Sequence, residues 1–132
     1  MLGGREPSLY GSQNLQELHQ ELVSYGQELK LQVECYQSNH EGELVEFIQQ
    51  AKANFSYLII NAAAYTHTSI AIRDAILATE IPVIEVHISN IYARESFRHH
   101  SLLSDIVKGQ IVGLGVLGYK LALEAAAHYL NT

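Results

Sequence analysis

The 132-residue sequence is poor in several residue types, and each shortage excludes a class of protein. It has no tryptophan, one cysteine and two prolines. The single thiol, Cys35, cannot close an internal disulfide and cannot make a zinc site alone. Only 8 lysines and arginines stand against 14 acidic residues, which gives a formal charge of −6. A protein that neutralises a phosphate backbone needs the opposite balance, so we expect no nucleic-acid partner.

Long apolar runs are also missing. No run approaches the ~20 residues of a membrane-spanning helix. The start, Met1-Leu2-Gly3-Gly4-Arg5-Glu6, has no signal-peptide character. We therefore expect no membrane partner and a cytoplasmic location. What the chain does have is 48% hydrophobic and 17% charged residues, and this balance is typical of one compact domain over residues 1–132.

The hydrophobic period alternates between helical and strand spacing along the chain. Helical spacing covers residues 15–29, 41–53, 69–79 and 117–130, and strands are predicted at 31–36, 57–60, 83–88 and 110–114. Strands joined by helical crossovers must be parallel, with helices on both faces of the sheet. The fold class is therefore α/β, a doubly wound parallel sheet, which binds ligands at the carboxyl ends of its strands.

Two residues at one such strand end suggest acid catalysis. Glu85 and His87 are two positions apart on a strand, so both side chains point to the same face. A carboxylate beside an imidazole can fix its tautomer and favour its protonated form, which suits a general acid. The alternative is a histidine in a purely structural hydrogen bond, because structural ion pairs show the same pattern.

Two other groups of residues carry weaker signals. Arg5 lies close to Tyr10 in the sequence, and a guanidinium near a phenol stabilises the phenolate, a usable base. Arg94, Arg98 and the pair His99-His100 form the most cationic stretch of an acidic chain. Arginine there suggests a site for a carboxylate, although a solvated or interface loop explains the charges equally well.

Other catalytic motifs are incomplete. Gly113-Leu114-Gly115-Val116-Leu117-Gly118 matches G-x-G-x-x-G, but a dinucleotide site requires a further strand with an acidic residue, so we interpret these glycines as close backbone packing. The seven histidines include no H-x-x-x-H pair, so no metal site is expected. A serine nucleophile lacks its G-x-S-x-G turn.

The residues that remain occur as an ordered set of short motifs along nearly the whole chain. The motifs are Arg5-Glu6-Pro7 with Tyr10-Gly11, Gln37-Ser38-Asn39-His40-Glu41-Gly42, Asn61 with Tyr65-Thr66-His67-Thr68-Ser69, Ile72-Arg73-Asp74-Ala75, Glu85-Val86-His87-Ile88-Ser89-Asn90, Ala93-Arg94-Glu95, Phe97-Arg98-His99-His100-Ser101, and Gly113 to Tyr119. Together they resemble the type II 3-dehydroquinate dehydratases.

The resemblance implies a flavodoxin-like fold, and an enzyme of the shikimate pathway that dehydrates 3-dehydroquinate to 3-dehydroshikimate through an enolate. It also implies that the reaction uses no metal and no organic cofactor. It implies a homo-oligomer, a dodecamer built from trimers.

The resemblance also implies roles for individual residues. Tyr10 would be the base, and Arg5 would lower the pKa of Tyr10 and stabilise negative charge. His87 would protonate the departing hydroxyl, oriented by Glu85. The remaining implied contacts to the substrate come from Asn61, His67, Arg98, the Ile88-Ser89 backbone and hydroxyl, and Asp74 of a neighbouring subunit.

The sequence departs from this family at its start. The family begins with a strand and a loop of Asn-Gly-Pro-Asn-Leu character, which this chain lacks ahead of Leu2-Gly3. In a flavodoxin-like sheet that strand lies between the second and third strands, so its loss leaves two strands without partners. We expect such a chain to be unstable or weakly active.

Two alternatives stay open at this stage. One is a noncatalytic small-anion-binding or assembly module of the same fold. The other is a phosphoacceptor domain of response-regulator type, although the acidic cluster that it needs is not visible.

Overall fold

A computed structural model describes residues 15–91 and 100–131 of the chain. Helices and strands alternate through these residues. Their bounds are α1 Leu15–Glu28, α2 Glu41–Asn54, β1 Leu58–Ile60, a 3-10 helix Ala63–His67, α3 Ile70–Thr79, β2 Val83–His87, β3 Gly109–Val112 and α4 Leu117–Leu130. Among these described helices, none is both long enough and apolar enough to cross a bilayer.

The three strands form one parallel sheet in the order β1-β2-β3. β2 lies in the middle and is buried along its whole length. In the register of the sheet, Ile60 lies opposite Glu85, Glu85 lies opposite Gln110, and His87 lies opposite Val112. The carboxyl ends of the three strands therefore meet at one edge, as parallel pairing requires.

Helices cover both faces of the sheet because side chains alternate along each strand. Ile60 and Val83 belong to a core with α2 and α3, whereas Ile84 and Val86 pack against α4. α3 begins after Ser69, whose hydroxyl accepts a hydrogen bond from the Ile72 amide at 3.0 Å, the usual N-cap contact. The predicted α/β sheet with helices on both sides is confirmed.

The predicted strand at residues 31–36 is not a strand in the structure. This segment packs its alternate side chains, Leu31, Val33 and Cys35, against α1 and α4, as the period-two pattern predicts. No ladder forms, however, because no strand among the described residues lies beside it. Side-chain alternation alone does not make a strand; the backbone also needs a hydrogen-bonding neighbour.

A cavity of about 870 Å³ separates this segment from β1. Residues 30–38 line one side of the cavity, and Tyr57, Leu58, Ile59, Ile60 and Asn61 line another. β1 pairs with β2 along one edge, and its other edge faces the cavity. A flavodoxin-like strand order places one more strand at this position.

β3 ends earlier than the pattern at 110–114 predicts. Gly113 and Gly115 have φ values of +83° and +63°, in the left-handed region that glycine adopts without strain. The chain therefore leaves the sheet at Val112 and turns into α4. Gly118 follows in α4, where a β-carbon would lie 3.1 Å from Val86 Cγ1, so close helix–sheet packing explains this glycine.

Candidate active site

The predicted acid pair lies at the carboxyl end of the central strand. Nε2 of His87 is 2.5 Å from Oε2 of Glu85, and both residues are buried, at 5% and 0% exposure. Because a carboxylate only accepts, the Nε2 nitrogen carries the hydrogen of this bond. The Nδ1 nitrogen of His87 is then the one left for another partner.

The Glu85 carboxylate receives two further hydrogen bonds. The Ser101 hydroxyl donates to Oε2 at 2.7 Å, and the Gln110 amide Nε2 donates to Oε1, also at 2.7 Å. Burial raises the pKa of the Glu85 carboxyl, but the hydrogen bonds from His87, Gln110 and Ser101 and the charge of His87 outweigh it, so this pKa lies below its ordinary value. The pair thus contains an ionised carboxylate inside the protein.

Neither Ser101 nor Gln110 is predicted from the sequence to be a site residue. Ser101 directly follows the cationic stretch that ends at His100, and nothing in the pattern links it to Glu85. Gln110 offered a signal: it is the polar residue of an otherwise apolar strand. Its position opposite Glu85 follows from the register of β2 and β3, which the sequence does not specify.

Asn61 follows β1 and has both ends of its amide fixed. Its Oδ1 accepts from the Ala63 amide, and its Nδ2 donates to the Tyr119 hydroxyl, each at 2.9 Å. The first bond holds the amide of the first residue of the 3-10 helix, an element that the hydrophobic period did not predict. Tyr119 on α4, which bonds to Asn61, is a third residue that was not assigned to the site from the sequence.

His67 ends the 3-10 helix and contacts the segment that follows residue 99. Its Nδ1 donates to the His100 carbonyl at 2.6 Å, which leaves Nε2 for another partner. Arg73 of α3 holds the same segment through the Leu102 carbonyl at 2.8 Å and the Asp105 carboxylate at 2.5 and 3.0 Å. These contacts fix the chain on which Ser101 lies.

Ile88 and Ser89 continue the chain beyond β2. Ile88 is buried, and its carbonyl accepts from the Gly115 amide at 2.9 Å. The Gly113 amide donates to the His87 carbonyl at 3.0 Å. The turn after β3 therefore holds the backbone around the acid, while Ser89 stays half-buried beside it.

Asp74 is exposed on α3. Ile70 and Leu77 share its helical face and are exposed at 65% and 52%. The remaining predicted site residues, Arg5, Tyr10 and Arg98, lie outside the described residues. The part of the chain that is described contains no cluster of three or more residues suited to a metal ion.

The arrangement can deliver a proton at one strand edge. It combines a buried imidazole oriented by a carboxylate, an amide with fixed direction at Asn61, and the half-buried His67. These groups suit a small polar substrate.

Comparison with known proteins gives a consistent result. The family model described as dehydroquinase class II matches residues 1–127. The 3-dehydroquinate dehydratase of Acaryochloris marina is 55% identical over 132 residues, covering 100% of this chain and 89% of that protein. The 3-dehydroquinate dehydratase of Aeromonas salmonicida is 56% identical over 131 residues, covering 99% of this chain and 88% of that protein.

A solved structure agrees with the sequence relatives. The crystal structure of the type II dehydroquinase from Propionibacterium acnes superposes with a TM-score of 0.91 at 48% identity, covering 96% of this chain and 88% of that one. The match to the family model and these relatives confirm the resemblance found in the motifs. The chain belongs to the class II dehydroquinase family.

Proposed function

We propose that this chain is a 3-dehydroquinate dehydratase, a hydro-lyase of the shikimate pathway that converts 3-dehydroquinate to 3-dehydroshikimate. The observation that carries the proposal is the buried Glu85–His87 pair at the carboxyl edge of the sheet, in a chain of the class II dehydroquinase family. Elimination of water from the carbon β to a ketone needs one base, one acid and stabilisation of an enolate.

The acid half of the reaction is assigned to His87. The imidazole donates its proton to the departing hydroxyl, which leaves as water. Glu85 keeps the ring in one orientation through the 2.5 Å hydrogen bond. Burial of both side chains strengthens this interaction, because a low-dielectric surrounding screens charges poorly.

The removal of a proton from the substrate is assigned to Tyr10, assisted by Arg5. Both residues lie outside the part of the chain that the structure describes. The Tyr10 phenolate removes the proton next to the ketone, and the electron pair of that C–H bond forms the enolate. Arg5 favours the phenolate by its positive charge. The enolate then expels the β-hydroxyl, which leaves as water with the proton of His87. The substrate has lost a proton to Tyr10 and a hydroxide to the water; release of the Tyr10 proton to solvent and reprotonation of His87 complete the balance.

Substrate positioning is assigned to the groups around the strand edge. Asn61, His67 and Ser89 hold hydroxyl and carboxylate oxygens, together with the backbone at Ile88. Arg98 supplies a positive charge for the carboxylate. The hydrogen bonds of Asn61 and His67 support these roles, because they hold both side chains in place at the strand edge and leave Nε2 of His67 for the substrate.

The active form is proposed to be an oligomer of trimers, a dodecamer, in which Asp74 completes the site of a neighbouring subunit. The exposed Ile70 and Leu77 beside Asp74 support this, since exposed apolar side chains on one helix face favour association. We place the enzyme in the cytoplasm, where the free thiol of Cys35 stays reduced.

The reaction is tested by following the conjugated enone of the product spectrophotometrically. Tyr10→Phe and His87→Ala should each lower kcat by ~10²–10⁴-fold, as expected for loss of one base or one acid. Tyr36→Phe and His128→Ala, both at exposed positions, serve as matched controls that keep wild-type turnover. A noncatalytic binding module would show no enone with the wild-type chain, and intact turnover in Tyr10→Phe or His87→Ala would contradict the assigned roles.

Assembly is tested separately by light scattering. Leu77→Lys should dissociate the oligomer and lower activity, because a lysine at a packed apolar contact leaves an unpaired charge. Gln49→Lys, at an exposed position on α2, adds the same positive charge and is the control for the change in net charge. A wild-type monomer at micromolar concentration would contradict the shared-site role of Asp74.

A further inference from the structure

Oε1 of Glu85 is held by a side chain from the neighbouring strand. His87 and Ser101 both bond to Oε2, whereas the described residue that donates to Oε1 is Gln110, at 2.7 Å. Gln110 lies directly opposite Glu85 in the β2–β3 register. Both oxygens of the carboxylate therefore accept hydrogen bonds, Oε2 from His87 on its own strand and Oε1 from Gln110 on β3.

Two-sided contact matters because a carboxylate can rotate about its last side-chain bond. A bond at Oε2 alone fixes the distance to His87 but leaves the plane of the carboxylate free to turn. A donor at Oε1 fixes that plane, and with it the direction in which Oε2 accepts the imidazole hydrogen. Glu85 is fully buried, so water cannot replace a missing donor without a rearrangement.

We propose that Gln110 is a positioning residue, which fixes the plane of the Glu85 carboxylate and thereby aims His87 at the departing hydroxyl. The inference rests on the proposed function for the role of His87. Gln110 acts through Glu85 and needs no contact with the substrate. Backbone hydrogen bonds pair β3 with β2 whatever the side chain at position 110, so this role is separable from the fold.

The first test compares Gln110→Met with Gln50→Met. Methionine keeps the length of the side chain and removes the donor, and Gln50 is exposed on α2. Gln110→Met should lower kcat by ~10–100-fold with little change in KM, because misorientation of a catalytic group affects the transition state more than substrate binding. The solvent isotope effect on kcat should rise, since proton donation by His87 becomes slower.

A double-mutant cycle separates positioning from general damage. In a Glu85→Gln background, Gln110→Met should lower kcat by less than about twofold further, because residues acting in one unit are not additive. An additive loss, an unchanged kcat in the single variant, or a rise in KM alone would each overturn the proposal. If Gln110→Met does not fold, Gln110→Asn removes the same contact by being one methylene too short, and the same results are expected.

Nuclear magnetic resonance of the histidine rings provides a readout that does not need turnover. The ring signals of His87 are assigned by their loss in His87→Ala. Gln110→Met should shift them at constant pH, and Gln50→Met should not. If the wild-type chain produces no enone, the proposed function fails while this measurement still decides the role of Gln110: unshifted His87 signals would overturn it.

Discussion

Glu85 shows how a carboxylate stays ionised inside the protein. It has no exposed surface, yet three donors contact its two oxygens, and two of them come from outside its own strand. Each donor recovers part of the solvation that burial removes. A buried ionised side chain whose oxygens all accept hydrogen bonds is typical of a functional site.

The acid dependence of stability should reflect this carboxylate. Because the pKa of Glu85 is lower in the folded protein than in the unfolded chain, its contribution to the free energy of unfolding is complete above the unfolded pKa of ~4.3 and is lost as the pH falls through the folded pKa. Glu85→Gln should lower the free energy of unfolding by ~1–3 kcal/mol at pH 7, and the difference from wild type should narrow in acid.

Urea unfolding at a series of pH values measures this effect. Glu46→Gln, at an exposed position on α2, should reproduce the wild-type pH profile. A gap between wild type and Glu85→Gln that stays constant from neutral pH into acid would show that the carboxyl is not ionised in the folded state.

The amide of Asn61 makes a second residue-scale prediction. Its Nδ2 is held by the Tyr119 hydroxyl, so Tyr119→Phe should free the amide to turn about its side-chain bond. The loss of one such bond, ~1 kcal/mol, should raise KM about fivefold with a smaller effect on kcat. Steady-state kinetics measures KM, with Tyr36→Phe as the control. An unchanged KM in Tyr119→Phe would mean either that Asn61 does not bind the substrate or that Tyr119 does not position Asn61.

At the scale of the elements, the hydrophobic period predicted the bounds of those helices and strands that are determined by packing of an apolar face. β2, α2, α3 and α4 lie within two residues of their predicted bounds, because each has an apolar face that fills one side of the sheet. Which strands pair, and in which register, could not be predicted in the same way. Residues 31–36 have the alternation of a strand without a ladder, and the contact of Gln110 with Glu85 depends on a register that no local pattern specifies.

The same limit applies to the site. The Glu85–His87 contact followed from strand geometry within one element. The Asn61–Tyr119 bond joins residues 58 positions apart, so it needed the complete fold. The 3-10 helix at Ala63–His67 was missed because a single short turn produces no hydrophobic period.

The packing of α1 on the segment after it can be tested at Gly26. A β-carbon at this buried glycine would lie 2.3 Å from Cγ2 of Val33, whose branched side chain has little rotamer freedom. Gly26→Ala should therefore lower the free energy of unfolding by ~1–3 kcal/mol, the usual cost of overpacking.

Gly42 provides the matched control, because a β-carbon there would meet nothing within 4 Å. Gly42→Ala in α2 should stabilise the protein by ~0.5–1 kcal/mol through helix propensity. Thermal and urea unfolding compare the two variants, and Val33→Ala should recover part of the loss in the Gly26→Ala protein. Equal effects of the two glycine substitutions would mean that α1 does not pack closely on residue 33.

At the scale of the whole molecule, the cavity beside β1 separates two halves of the hydrophobic core. α1 and residues 31–36 lie on one side of it and the three-stranded sheet on the other, with α4 contacting both. The walls are largely apolar, and no strand within residues 15–91 and 100–131 pairs with the edge of β1 that faces the cavity. An apolar strand placed here would bury its side chains and complete a ladder on each side.

We therefore expect an added strand to stabilise this chain. Fusing an apolar, β-branched strand with a short linker ahead of Met1 should raise the free energy of unfolding by ~3 kcal/mol or more, since burying each Val or Ile contributes ~1.5–3 kcal/mol. A glycine- and serine-rich extension of the same length is the control, because it cannot fill an apolar cavity. Urea unfolding and amide hydrogen exchange measure the outcome, and new protection at residues 31–36 should accompany the gain. If the two extensions gave the same stability and residues 31–36 exchanged as before, the cavity would not be a strand position.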